Sequence, residues 1–248
     1  MTEVAPRRTP GTPCWVSLMT HRLASSEEFY NGLFGWTFSP GPYVSALLDG
    51  CEVAGMGEFP DERRLPAAWT TYLATDDADV TAEQVRACGG TVAVGPLDVG
   101  EAGRVAIAAD PLGAVFGVWQ EGRRGTRSGG GPGTPVWNSL TTLETTGVGK
   151  FYAVVFGLEA VASGPEQLTL RVDGRAVAEV NGVGGELPPD RGPHWMTHFE
   201  VADVAATLRR ATELGGRVVE QPREAPAGIS ATVADREGAV FTVLQPAD

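Results

Sequence analysis

The segment GTPCWVSL at 11–18 returns as GTPVWNSL at 133–140, an offset of 122 residues. A repeat of that length constrains a chain more than composition does, because whatever one copy folds into, the other must fold into as well. The match runs on through Phe29-Tyr30 against Phe151-Tyr152, Trp69 against Trp195, and Gly89-Gly90 against Gly215-Gly216. It closes with DPLGAVFGVWQ against DREGAVFTVLQ, where Gln120 pairs with Gln245 and the offset has grown only to 125. The chain is a tandem duplication. Between the copies, EGRRGTRSGGGPGTP at 121–135 has the glycine content of a linker. The expected division is a tail at 1–10, a first domain at 11–120, a linker at 121–132 and a second domain at 133–246.

Each copy reads as two similar modules. CWVSLMT and VWNSLTT are short β-prone runs, each followed by a helix with Ser25 or Ser26, and Thr145 or Thr146, as expected N-caps. Phe29, Tyr30, Leu33 and Phe34 fall on one helix face, and Gly35 and Gly157 are placed to end the two helices in the left-handed conformation. Strands follow near 36–39, 43–49 and 52–57, and again near 159–163, 167–173 and 175–180. WTTYLAT and HWMTHFEV then lead into second helices closed by Gly-Gly. The last two strands of each copy are joined by DPLG or DREG, in which Asp first and Gly fourth is a type I turn signal. The order is β-α-β-β-β four times over.

Composition narrows the function classes. A formal net charge of −12 repels a phosphate backbone, and the loose cluster Arg123, Arg124 and Arg127 lies in the linker, so no nucleic-acid partner is expected. No apolar run approaches the roughly 20 residues that cross a bilayer, which argues against a membrane role. Cys14, Cys51 and Cys88 are odd in number and lack CxxC spacing, so neither a disulfide framework nor a thiolate cage is expected. MTEVAPRRTPGTP has no apolar core of a signal peptide, and cytoplasmic residence is the expectation.

The combination of a strand, an FYxxLFG helix end, a strand entering an Asp-rich helix start, Gly-Gly and DPxGxxF resembles the vicinal oxygen chelate superfamily. That superfamily includes glyoxalases, extradiol dioxygenases and bleomycin-binding proteins. The resemblance implies an α+β fold in which four βαβββ modules pair into two domains, their curled mixed sheets forming open cups that hold the ligand. It also implies metal-ligand positions on three strands. Fourteen residues before the Phe of FY stand Trp15 and Trp137; on the strand before the second helix stand Trp69 or Thr70, and Trp195 or Met196; four residues after the Gly of DPxG stand Gly117 and Thr242. None suits a hard or borderline cation. His194 and His198, four apart on an expected strand, are about 13 Å apart along the chain and cannot share one ion. No metal and no cofactor is therefore expected.

Removing metal chemistry leaves aromatic and small polar groups on strands expected to line the cups. The candidate ligand-binding residues are Trp15, Ser17, Met19, Trp69, Thr71, Trp119, Trp137, Ser139, Thr141, Trp195 and His198. Apolar walls with a few oriented polar groups suit a small organic ligand, and indoles stack on flat rings. The tryptophans serve equally well as core, an alternative that residue type alone leaves open. Acid and base candidates are Glu179, Glu200 and His198, none paired with a second catalytic group. Asp110 and Asp235 read as turn residues, and Asp76, Asp77, Asp79 and Asp203 as helix caps. The expected function is metal-independent binding of a planar aromatic molecule, such as an aromatic polyketide or antibiotic, for sequestration or in natural-product biosynthesis. The alternatives are a cofactor-independent isomerase, lyase or hydroxylase, a metal enzyme with displaced ligands, or an interaction module. Monomer is expected over homodimer, because duplication already supplies the module pairing.

Overall fold

A computed structural model describes residues 8–60, 62, 65–122, 130–184, 187, 191–225 and 227–247. Arg123, Arg124, Arg127 and most of the N-terminal tail lie outside them. The first copy runs β1 (Pro13–Thr20), α1 (Leu23–Phe34), β2 (Thr37–Phe38), β3 (Tyr43–Leu48), β4 (Cys51–Glu58), β5 (Ala68–Thr75), α2 (Ala78–Ala87), β6 (Thr91–Asp98), β7 (Gly103–Ala109) and β8 (Val115–Glu121). The second repeats the order as β9 (Pro135–Thr142), α3 (Thr146–Phe156), β10 (Glu159–Gly164), β11 (Gln167–Val172), β12 (Arg175–Gly182), β13 (His194–Glu200), α4 (Val204–Glu213), β14 (Arg217–Ala225), β15 (Gly228–Ala234) and β16 (Val240–Pro246). Four βαβββ modules result.

Each copy makes one open, mixed eight-stranded sheet, in the orders β2-β3-β4-β1-β5-β8-β7-β6 and β10-β11-β12-β9-β13-β16-β15-β14. Within a module the first and last strands pair in parallel, as in Ser17 beside Gly55 and Tyr72 beside Gly117, while the remaining pairs are antiparallel. A parallel pair needs a crossover, and the helix of each module supplies it.

By contact the chain separates into two compact units, Met1–Trp15 with Thr70–Thr126 and Asn138–Trp195, and Val16–Trp69 with Arg127–Trp137 and Met196–Asp248. Each unit combines a module of one copy with a module of the other and has its own core. In the first unit Phe151, Tyr152 and Phe156 of α3 pack with Phe116, Leu73 and Trp195. In the second, Phe29 and Tyr30 of α1 pack with Trp36, Trp69, Phe199 and Phe241. The FY pairs are buried because a helix must hide its apolar stripe, and each stripe meets residues from the other repeat.

The helix ends depart in part from expectation. Gly35 and Gly157 do cap α1 and α3 at φ 75° and 71°, a conformation that costs other residues strain. Ser25 and Ser26, however, lie inside α1, which begins after Arg22 without a side-chain cap. The carboxylate of Glu58 takes the Leu23 N–H at 3.1 Å, while Ser26 bonds the buried Thr20 hydroxyl at 2.8 Å. Thr145 is the N-cap residue of α3 but makes no cap bond, and Glu144 accepts from the Gly147 N–H instead. At α1 a long-range acceptor displaced the local serines, and at α3 the neighbouring Glu144 took the place of the threonine. The three cysteines are free, and among the described residues no helix is long and apolar enough to cross a membrane.

Candidate functional site

Strand alternation divides the expected site residues between two faces. On β1, Val16 and Leu18 enter the second unit's core, which leaves Trp15, Ser17 and Met19 on the opposite face. On β9, Leu140 enters the first unit's core, and Ser139 and Thr141 take the opposite face, as does Trp137 by the same alternation. His198 and Glu200 alternate with the buried Thr197 and Phe199, and Glu179 alternates with the core residues Ala178 and Val180.

Trp69, Thr71 and Trp195 are placed on the core side. Trp69 and Trp195 belong to the two hydrophobic cores, and the Thr71 hydroxyl donates to Asn138 Oδ1 at 2.8 Å. For the two tryptophans the physical reason is a repeated buried relay that sequence reading missed. In the second unit Trp69 Nε1 donates to Tyr30 Oη at 2.9 Å, and Tyr30 Oη donates to Asp235 Oδ2 at 3.0 Å. Asp235 Oδ1 meanwhile accepts the N–H groups of Glu237 and Ala239 inside its turn. The first unit repeats this with Trp195, Tyr152 and Asp110, at 2.9 and 3.3 Å, and with Leu112 and Ala114 as the turn donors. Burial raises both carboxyls above the usual range although these hydrogen bonds pull the other way, and it raises both phenols further still. The visible signal was that FY, Trp and DxxG each occur twice; that the Tyr of one copy meets the Asp of the other is a tertiary fact.

On the face opposite the core, the first unit carries an aromatic group on the first sheet. Trp15 and Trp119 have ring centroids 6.3 Å apart, and Tyr72 meets Trp119 edge-on at 6.0 Å. Tyr72 pairs with Gly117, and its ring lies where a Gly117 side chain would be. The row Tyr72–Gly117–Ile107–Val94 is thus aromatic and apolar across four strands. A cleft beside Trp119, lined also by Arg8, Cys14, Ala74 and Glu121, measures about 10 Å³, the room of one water. Burial pushes the Cys14 thiol up to about 12, so it is an inert packing group rather than a nucleophile.

In the second unit the corresponding row of the second sheet is polar: His198–Thr242–Thr232–Glu220. Thr232 Oγ1 donates to Glu220 Oε2 at 2.8 Å. Burial first, and the Arg223 guanidinium second, push His198 down to about 4, so its imidazole is neutral at pH 7.

The positions where the superfamily holds its metal do not fit one. The first sheet offers an indole at Trp15, a threonine hydroxyl at Thr70 and no side chain at Gly117, whose place the Tyr72 ring fills. The second offers Trp137, Met196 and the buried Thr242, of which only a threonine hydroxyl is an oxygen donor. Among the described residues no group of three or more His, Cys, Asp or Glu gathers around one point.

A family model described as a glyoxalase-like domain matches residues 140–244. The anthracycline biosynthesis protein DnrV of Streptomyces peucetius is 37% identical over 264 residues, covering 96% of this chain and 94% of its own. The anthracycline biosynthesis protein DauV of Streptomyces sp. strain C5 is 36% identical with the same coverage. Among solved structures, the Mn(II)-bound glyoxalase from Novosphingobium aromaticivorans superposes with a TM-score of 0.66 at 17% identity, over 97% of this chain and 84% of that one. Duplicated βαβββ modules, two open sheets and near full-length relatedness lead to one conclusion: the chain belongs to the vicinal oxygen chelate superfamily, as a tandem glyoxalase-like member.

Proposed function

We propose that the protein is a metal-independent binder of a small planar aromatic molecule and serves an accessory role in natural-product biosynthesis, as the names of DnrV and DauV suggest for those relatives. The observation that carries this reading is the Tyr72 ring over Gly117, with Trp15 and Trp119 beside it. A position that a metal ligand would occupy has become part of an aromatic surface. Two indoles and a phenol supply stacking area at small entropic cost, and flat rings prefer offset or edge-on partners of this kind. Acid–base chemistry is poorly served by comparison: a histidine held near 4 is a weak proton acceptor at pH 7.

The test is tryptophan quenching by 1,8-dihydroxyanthraquinone, with and without EDTA, followed by recovery of the ligand. Saturable quenching that EDTA leaves unchanged, with the quinone returned intact, is the expected result. Trp119→Ala should weaken binding by roughly tenfold, about 1.4 kcal/mol, through lost stacking and apolar contact. An altered quinone would make the protein an enzyme, with His198 the first residue to replace, and EDTA sensitivity would overturn the metal-free reading.

A further inference from the structure

The first unit's portion of the second sheet holds a second surface that the aromatic site does not use. Residues of β11, β12 and β9 align in two cross-strand rows, Gln167–Asn181–Thr141 and Thr169–Glu179–Ser139. Their strand neighbours Leu140, Leu170, Ala178 and Val180 are buried in the core, so the six share the opposite face. Every one carries a hydrogen-bonding side chain. At the same places of the first sheet stand Tyr43–Gly57–Met19 and Ser45–Gly55–Ser17. There the Tyr43 ring lies over both glycines and occupies the surface itself. The duplicated positions have diverged, and only the second copy has filled all six with polar groups.

The side chains are linked rather than scattered. Gln167 Nε2 donates to Asn181 Oδ1, and Asn181 Nδ2 donates to Glu179 Oε1, each at 3.3 Å. Both bonds are at the long end for N–H···O, and an amide with two N–H groups and two lone pairs retains capacity beyond them. Ser139 is 7% exposed and Thr141, Glu179 and Asn181 are half-buried, so the face is partly shielded from water. Three strands span about 10 Å and two alternate residues about 7 Å, the footprint of one six-membered ring. One carboxylate among amides and hydroxyls accepts O–H groups and repels anions, and none of the six offers an aromatic face. The fitting chemistry is a neutral ring bearing several hydroxyls.

We propose that this face of the second sheet is a binding site for a neutral polyhydroxylated six-membered ring, a sugar or cyclitol, separate from the aromatic surface on the first sheet. The test is a titration of the full ¹⁵N-labelled chain with methyl β-D-glucopyranoside and with myo-inositol. Saturable shifts are expected at the side-chain amides of Asn181 and Gln167 and at the backbone of Ser139, while cyclohexanol and glucuronate leave these signals in place. Glu179→Gln, which keeps shape, and Asn181→Leu should each weaken binding by roughly tenfold. Trp119→Ala should not change it, so failure of the aromatic reading and failure of this one are distinguishable. Absence of saturable shifts with both polyols, equal shifts with cyclohexanol, or indifference to both polar variants in folded protein would overturn the proposal.

Discussion

Asp235→Ala is expected to lower the stability of the chain by about 3 kcal/mol, and the melting temperature by about 6–12 °C. One carboxylate satisfies three donors, the Tyr30 hydroxyl and the N–H groups of Glu237 and Ala239. Alanine leaves all three without their acceptor in a region where Tyr30 is fully buried and Ala239 equally so. An unsatisfied buried donor costs its whole desolvation, which exceeds the net value of the bond it lost. Tyr30→Phe should cost less, about 1–2 kcal/mol, because the ring stays stacked on Trp36 while Trp69 Nε1 loses its acceptor. In the other unit Tyr152 reaches Asp110 at 3.3 Å rather than 3.0 Å, so Tyr152→Phe should be the milder of the two phenylalanine variants. Burial raises the Asp235 carboxyl, which means that its charge opposes folding at neutral pH while its shape supports it. Asp235→Asn, which keeps an oxygen for the turn, should therefore cost less than alanine. Urea unfolding of the four variants measures this, and an Asp235→Ala protein within 0.5 kcal/mol of the parent would sink the relay as a stabilising element.

Acidification from pH 6.5 to 4 is expected to remove up to about 3 kcal/mol of stability through His198 alone. The ordinary histidine value of 6.5 applies to the unfolded chain, whereas in the folded protein burial and then Arg223 hold the group at about 4. Between those values the unfolded chain binds a proton that the folded chain refuses, so stability falls as pH falls. From about one unit above 6.5 the imidazole is neutral in both states and the contribution is constant. The difference between the parent and His198→Gln, measured by urea unfolding across this range, removes the shared titration of the carboxylates. Arg223→Ala should shrink the difference, since it takes away the like charge that adds to burial. Equal pH profiles for parent and His198→Gln would show that His198 titrates as an exposed histidine does.

Both predictions rest on residues whose types were plain in the chain and whose partners were not. Asp110 and Asp235 were legible as turn residues because Asp and Gly at the ends of a four-residue turn obey local geometry. Nothing within those four residues announced a tyrosine more than 40 residues before or after them in the chain. At the expected metal-ligand positions the chain offers indoles, a glycine, a methionine and threonine hydroxyls, and none of these is an imidazole, thiolate or carboxylate donor. Trp15 and Trp69 looked alike in sequence, both aromatic on a β-prone run and both matched in the second copy. Register alone sends Trp69 into the core, where its N–H finds Tyr30, and leaves Trp15 on the far face with Trp119.

The helix starts show the same limit at short range. Ser26 has the chemistry of an N-cap, but Glu58 lies close enough to take the first N–H, and the serine turns to Thr20 instead. What the chain by itself determined was the duplication, the module order, the glycine helix ends and the Asp turns. These follow from repeat length, periodicity and backbone preference, each a property of residues near one another. Only the tertiary structure decided that each core is built from both copies, which tryptophans are structural, and that one sheet presents aromatic rows where the other presents polar ones. Those outcomes depend on which strand edge and which helix face meet across the duplication, and a pairing between distant segments is an energy of the folded whole.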